Sequence, residues 1–216
     1  MRYQSVLFDM DGTVLDTLED MYESVNHTLR AFGYPERTLG EVRAFVGNGA
    51  YMLIRRALPE GSSEERVQQA LALYKPYYAE HCQVRTKPYD GILELFSTLG
   101  ADGIRVAIVS NKPDGAVKTL SERHFGALPT LAVGEREGRR CKPYPDMVLA
   151  ALEEMGAAAS RAVYVGDSEV DVQTAKNAGL PCISVSWGFR SRRQLEAAGA
   201  AVIADSVEEL KKLLIE

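Results

Sequence analysis

Asp9-Met10-Asp11-Gly12-Thr13-Val14-Leu15-Asp16-Thr17 follows directly on the apolar run Val6-Leu7-Phe8. The run reads as a buried strand, and two carboxylates one residue apart stand where it stops. Removing a carboxylate from water is costly unless a cation or hydrogen-bond donors compensate. A divalent cation and a phosphate gathered at the strand end would supply that compensation. An acidic turn with backbone freedom at Gly12 is the plainer reading of the same residues.

Outward from this stretch the chain changes character twice. Leu18, Met21, Tyr22, Val25, Leu29 and Phe32 recur at helical spacing, ahead of Gly33. Asp16 followed by Glu19 has the form of a capping box. Helices are expected at 39–45, 50–58 and 63–81, the last bent at Pro76, with no strand between 16 and 82. From the turn-rich Thr86-Lys87-Pro88-Tyr89-Asp90-Gly91 onward, β-branched apolar runs alternate with amphipathic stretches. Strands are expected at 106–109, 130–133, 162–165, 182–185 and 202–203. Helices are expected at 92–99, 113–125, 145–155, 170–178, 192–198 and 207–214. This alternation predicts an α/β fold, a doubly wound parallel sheet. An all-helical insert at 16–82 then interrupts a core made of 1–15 and 83–216.

Bulk properties bound the function. A chain of 216 residues, 46% apolar and 25% charged, has room for a sizeable core. A formal charge of −5 argues against a general nucleic-acid binder. Cys82, Cys141 and Cys182 are odd in number and show no zinc spacing, which suits free thiols in a reducing cytoplasm. No signal-peptide pattern and no membrane-length apolar run is evident, so cytoplasmic localisation without membrane association is expected. The sequence leaves monomer and homodimer open.

In an open parallel sheet, ligands bind at the carboxyl ends of the strands. Three expected strands end in Asp9-Met10-Asp11, Ser110-Asn111 and Gly166-Asp167-Ser168, with Asp171 following and Lys142 in a loop. Mg²⁺ takes oxygen ligands, one or two of them carboxylates, and Asp9 and Asp167 would supply these. The Asp11 carbonyl would add a ligand and leave its side chain for proton transfer. Ser110 and Lys142 would hold phosphoryl oxygens, with backbone N–H groups around Met10 to Gly12 assisting. Each residue also has a structural reading: Ser110-Asn111 and Asp167-Ser168 as helix starts, Lys142 as a surface lysine, Asp171 as a first-turn acid. Their joint order along the chain favours the chemical one.

Taken together, Asp9-Met10-Asp11-Gly12-Thr13, Ser110, Lys142 and Gly166-Asp167-Ser168-Glu169-Val170-Asp171 resemble the four motifs of the haloacid dehalogenase-like hydrolase superfamily. The resemblance covers essentially the whole chain and implies a Rossmann-like core with a helical cap. It implies that Asp9 is a nucleophile forming an aspartyl-phosphate and that Asp11 is the acid and base. Asp9, Asp167 and the Asp11 carbonyl would bind Mg²⁺, with Asp171 supporting the metal shell. Gly12, Thr13 and Asn111 join Ser110 and Lys142 as candidate phosphate- and substrate-binding residues. Asp11 favours phosphoryl transfer over dehalogenation, because the dehalogenases lack this second acid.

Val46-Gly47-Asn48-Gly49-Ala50, Arg55-Arg56 and Ser110-Asn111-Lys112-Pro113 are similar to the phosphoglycolate phosphatase-like group. Asn48 and Arg55 are thus candidate substrate contacts, Arg55 as a clamp on a carboxylate. A small phosphorylated metabolite is the expected partner. A pyrophosphatase, a sugar-phosphate or nucleotide phosphatase and a β-phosphoglucomutase-like isomerase remain alternatives. A phospho-accepting receiver module would be about half as long and lack the insert. A catalytically silent interaction protein would not need four intact motifs.

Overall fold

The computed structural model describes residues 3–216. Its elements are β1 (Ser5–Phe8), β2 (Leu15–Asp16), α1 (Leu18–Ala31), α2 (Leu39–Phe45), α3 (Gly49–Ala57), α4 (Glu64–His81), β3 (Lys87–Pro88), α5 (Ile92–Ala101) and β4 (Arg105–Pro113). They continue with α6 (Asp114–Phe125), β5 (Leu131–Glu135), α7 (Asp146–Glu154), β6 (Ala162–Gly166), α8 (Glu169–Ala178), β7 (Cys182–Val185), α9 (Arg192–Ala197), β8 (Ile203–Ala204) and α10 (Val207–Ile215). Two compact units result, one of residues 1–15 and 88–216, the other of residues 16–87. Among the described residues, no helix is long and apolar enough to cross a membrane.

The first unit is built on a six-stranded sheet of order β5-β4-β1-β6-β7-β8, parallel throughout. The chain winds outward from β1 to β4 and β5, then returns to the other side for β6, β7 and β8. That reversal is the topological switch that opens a crevice at the carboxyl edge. All four residues of β1 are buried, as a central strand covered on both faces requires. Leu7 packs with Met147, Val148, Ala151, Tyr164 and Ala175 on one face. Phe8 points to the other, its ring 5.1 Å from that of Phe96, which in turn lies 5.0 Å from Phe125. Adjacent side chains of one strand thus nucleate two opposite layers.

Register carries the motifs to one place. Phe8 pairs with Ile108 on β4 and with Val165 on β6, so the residues that follow in each strand emerge at the same edge. One expectation changes here. Strand β4 runs on through Ser110, Asn111 and Lys112 to Pro113, with an irregular register between Val109 and Pro113 against β5. Ser110-Asn111 therefore does not start a helix; α6 begins at Asp114 without a side-chain cap.

The second unit packs α1 to α4, and two further expectations change within it. Asp16 and Glu19 form no capping box. Asp16 Oδ1 accepts from the Leu18 N–H at 3.3 Å, and Glu19 instead pairs with Arg85 at 3.1 Å. The residue that caps α1 is Thr17, not Asp16, so Glu19 stands at the second helical position instead of the third and cannot close the box. The unit also extends to Lys87, past the expected limit at Cys82. The buried Asp20 carboxylate explains this: it accepts from the Arg85 N–H (2.9 Å), the Thr86 N–H (2.9 Å) and the Thr86 hydroxyl (2.8 Å). Unpartnered buried donors are costly, so this contact ties 85–86 to α1. Pro76 lies inside α4, which continues past it to His81.

Candidate active site

At the carboxyl edge of the sheet, β1 delivers Asp9 and β6 delivers Asp167, both buried. Ligand atoms of Asp9, Asp167 and Asp171 lie within 4.8 Å of one another. Three buried carboxylates so close would repel strongly in a low-dielectric setting. Burial and the neighbouring Asp171 push the Asp9 carboxyl up to about 7, although Lys142 pulls in the opposite direction. Burial likewise raises Asp167 well above the carboxylate range, reinforced by Asp171 and Asp9. An oxygen-rich site with excess negative charge is what a hard divalent cation neutralises, so these residues fit a metal ion.

Asp171 is committed differently from its neighbours. Its Oδ2 accepts from the Ser168 N–H at 3.1 Å and the Ser168 hydroxyl at 2.6 Å. Its Oδ1 pairs with Lys142 Nζ at 2.8 Å. Ser168 thus caps α8, and the Asp171 carboxylate that closes the cap also anchors the lysine.

Lys142 is no surface lysine. Its side chain is 2% exposed, and Nζ lies 2.7 Å from Asp9 Oδ1, 2.8 Å from Asp171 Oδ1 and 3.1 Å from the Tyr164 hydroxyl. Burial alone would lower its pKa, but Asp171 and Asp9 hold it well above the usual lysine value. Its main chain is fixed by Asn111, whose Nδ2 donates to the Lys142 carbonyl at 2.9 Å and whose Oδ1 accepts from the Lys142 N–H at 2.7 Å. The Asn111 amide thus positions Lys142. The Lys142–Pro143 peptide is cis.

Ser110 is buried beside these groups, and its Oγ accepts from the Lys112 N–H at 3.2 Å. Asp11 stands more open, and its Oδ1 is 3.0 Å from Lys112 Nζ. Thr13 is fully buried and its Oγ1 has no hydrogen-bond partner among the described residues, an orphaned polar atom within the first motif. Gly12 has φ 82°, a left-handed conformation, and a Cβ there would overlap the Asp167 carboxylate.

Sequence reasoning missed the segment after β7. The Phe189 N–H donates to Asp167 Oδ2 at 2.6 Å, and Trp187 Nε1 donates to the Thr13 carbonyl at 3.1 Å. Arg190 makes a two-pronged contact with Glu169, at 2.8 and 3.1 Å. A Cβ on Gly188 would overlap the Gly12 carbonyl oxygen and the Asp167 side chain. Ser186-Trp187-Gly188 directly follows an apolar run, the strand-end position that drew attention to the other motifs. It lacks a carboxylate, so it carried no chemical signal of its own. Tyr164 and Lys112 were likewise unassigned, because a tyrosine in a strand and a lysine before proline are ordinary.

Gly188→Ala should destabilise the protein by about 1–3 kcal/mol by overpacking. It should also shift the Asp167 carboxylate, since the added methyl meets it. A Tm equal to that of the wild type would show that Gly188 packs without constraint against Asp167.

The two cap candidates are tied up within the helical unit. Arg55 donates to the Tyr51 hydroxyl and to Glu64, each at 3.2 Å, and is about half exposed. Asn48 Oδ1 accepts from Arg56 at 2.8 Å, and Arg56 also reaches the Phe45 carbonyl at 2.7 Å.

A family model described as haloacid dehalogenase-like hydrolase matches residues 6–185. A phosphoglycolate phosphatase of Pseudomonas savastanoi pv. phaseolicola is 34% identical over 211 residues, covering 95% of this chain and 77% of that protein. Another, of Rhodospirillum rubrum, is 33% identical over 216 residues, covering 96% and 89%. The crystal structure of a candidate phosphoglycolate phosphatase from Lactobacillus delbrueckii subsp. bulgaricus superposes with a TM-score of 0.95 at 37% identity, covering 99% of both chains. The strand order, the acidic cluster with its buried lysine and these likenesses agree: the chain belongs to the haloacid dehalogenase-like hydrolase family, as a phosphatase similar to the phosphoglycolate phosphatases.

Proposed function

We propose that this enzyme hydrolyses a small phosphate monoester with Mg²⁺ through an aspartyl-phosphate on Asp9, and that phosphoglycolate is its substrate. The observation that carries the reading is Lys142, buried between Asp9 and Asp171 at the sheet edge beside Asp167. Mg²⁺ bound by Asp9, Asp167 and the Asp11 carbonyl would neutralise phosphoryl charge that otherwise repels the nucleophile.

Asp9 attacks phosphorus, forming a carboxylate O–P bond as the bond to the leaving oxygen breaks. Asp11 gives its proton to that oxygen, and the alcohol departs. Asp11, now ionised, takes a proton from water as the water oxygen attacks phosphorus. The Asp9–phosphorus bond breaks, and inorganic phosphate leaves. Lys142 and Ser110 hold non-bridging oxygens throughout, while Asn111, Asp171 and Tyr164 hold Lys142. Thr13 and Gly12 line the phosphoryl site. The enzyme acts in the cytoplasm on a soluble metabolite, as a monomer or homodimer, with no nucleic-acid or membrane partner.

The test is phosphate release by purified protein across phosphoglycolate, pyrophosphate, nucleoside monophosphates and hexose phosphates, with Mg²⁺ or EDTA. The largest kcat/KM is expected for phosphoglycolate, with loss of turnover in EDTA. A clear preference for another substrate would reassign the enzyme within its family, and full activity in EDTA would remove Mg²⁺.

Proton linkage supplies a second measurement. Asp9 titrates at about 7, above its ordinary value of 3.8, so below that pH a cation must displace its proton. Added Mg²⁺ should raise Tm more at pH 8 than at pH 5. An equal rise at both values would argue that Asp9 is not a ligand.

A further inference from the structure

We propose that Lys112 recognises a second anionic group on the substrate, carried by the carbon next to the leaving oxygen. The inference rests on the phosphatase reading above and adds the residue that selects among phosphate monoesters. The site holds two buried lysines with different surroundings. Lys142 lies among Asp9, Asp171 and Tyr164, on the floor of the site, where Asp171 is fully buried. Lys112 is at the end of β4, its side chain 4% exposed, with Nζ 3.0 Å from Asp11 Oδ1. The Asp11 side chain is 17% exposed, so this second pair stands on the more open side.

The geometry follows from the role given to Asp11. A leaving oxygen that receives its proton must come within hydrogen-bond distance of that carboxyl, at about 3 Å. Lys112 Nζ is already within hydrogen-bond distance of the same carboxyl. A carboxylate two bonds from the leaving oxygen therefore enters the reach of the ammonium without displacing the phosphoryl group from Lys142. Arg55, the arginine that the sequence offered for this task, is held on the surface by Glu64 and Tyr51. A charge-assisted hydrogen bond in a desolvated site discriminates strongly against a ligand without the charge.

The experiment compares phosphoglycolate with 2-hydroxyethyl phosphate, in which an alcohol replaces the carboxylate. The readout is the ratio of their kcat/KM values. Any general effect of Lys112 on Asp11 acts on both substrates and cancels in that ratio. The wild type should prefer phosphoglycolate, and Lys112→Gln should lower the ratio roughly 10- to 100-fold. Lys112→Arg should keep most of the preference, and Lys112→Met serves if the glutamine variant does not fold. A ratio in the neutral variants within twofold of the wild type would overturn the proposal, as would a wild type with no preference between the two. If the wild type releases phosphate from neither compound with Mg²⁺, the phosphoglycolate reading falls and the role of Lys112 with it. Turnover of both with an unchanged ratio removes Lys112 alone.

Discussion

Asp9→Asn should abolish turnover, with a loss of at least about 10⁴-fold in kcat, while the protein stays folded. The amide is a poor nucleophile and cannot form the acyl phosphate. It is also nearly isosteric with the carboxylate, so packing is preserved. The stability effect has a definite sign. Burial and Asp171 raise the Asp9 pKa to about 7, so the fold disfavours its charged form. At pH 8 in EDTA the wild type carries that charge and the variant does not. The Tm of Asp9→Asn should therefore match or exceed that of the wild type under those conditions. Circular dichroism melts and phosphate release measure the two arms together. Near-normal turnover in a folded variant would end the covalent mechanism.

Lys142→Met should be the most destabilising single change in the site. Lys142 Nζ lies 2.7 Å from Asp9 and 2.8 Å from Asp171, and its removal leaves two buried acids without their cation. Breaking a buried ion pair by deleting one member costs about 3–5 kcal/mol, because the remaining charge stays desolvated. Turnover should fall by about 10³-fold or more, since nothing else among the described residues holds the same position between Asp9 and Asp171. The deficit should shrink at low pH. Asp9 titrates near 7 even beside Lys142 and higher without it, so at pH 5 it is protonated and needs no cation. Urea unfolding at pH 5 and pH 8 should show the larger deficit at pH 8. Equal deficits would mean that Lys142 contributes through packing, not charge. Mg²⁺ should recover part of the loss at pH 8, by restoring positive charge beside Asp9.

The first motif shows what a sequence can carry. Val6-Leu7-Phe8 announces a buried strand because all three side chains are apolar, and Asp9 and Asp11 are conspicuous at its end because acids are expensive there. Asp167 and Asp171 are legible for the same reason, and alternating apolar runs make the parallel sheet legible with them. Asp16 and Glu19 mislead by the same local logic. Their spacing suits a cap, but α1 starts one residue later, behind Thr17, and Arg85 takes Glu19. The limit of the helical unit was hidden too, because Asp20 meets Thr86 only after the four helices have packed.

Local sequence carried the order of the main-sheet strands and of the helices, the interruption behind the first strand, and which acids stand at strand ends; the short β2–β3 pair it did not carry. These are properties of local period and of the cost of burying charge, and both can be read within a few residues. Partnership came from the packed fold. Lys142 with Tyr164, Lys112 with Asp11, Phe189 with Asp167 and Trp187 with Thr13 are each joined across a long stretch of chain. A periodic pattern tells which side chains are buried, but sheet order and register decide what each one meets. For that reason the acid at Asp9 was legible at its strand end, and the lysine proposed to choose the substrate was not.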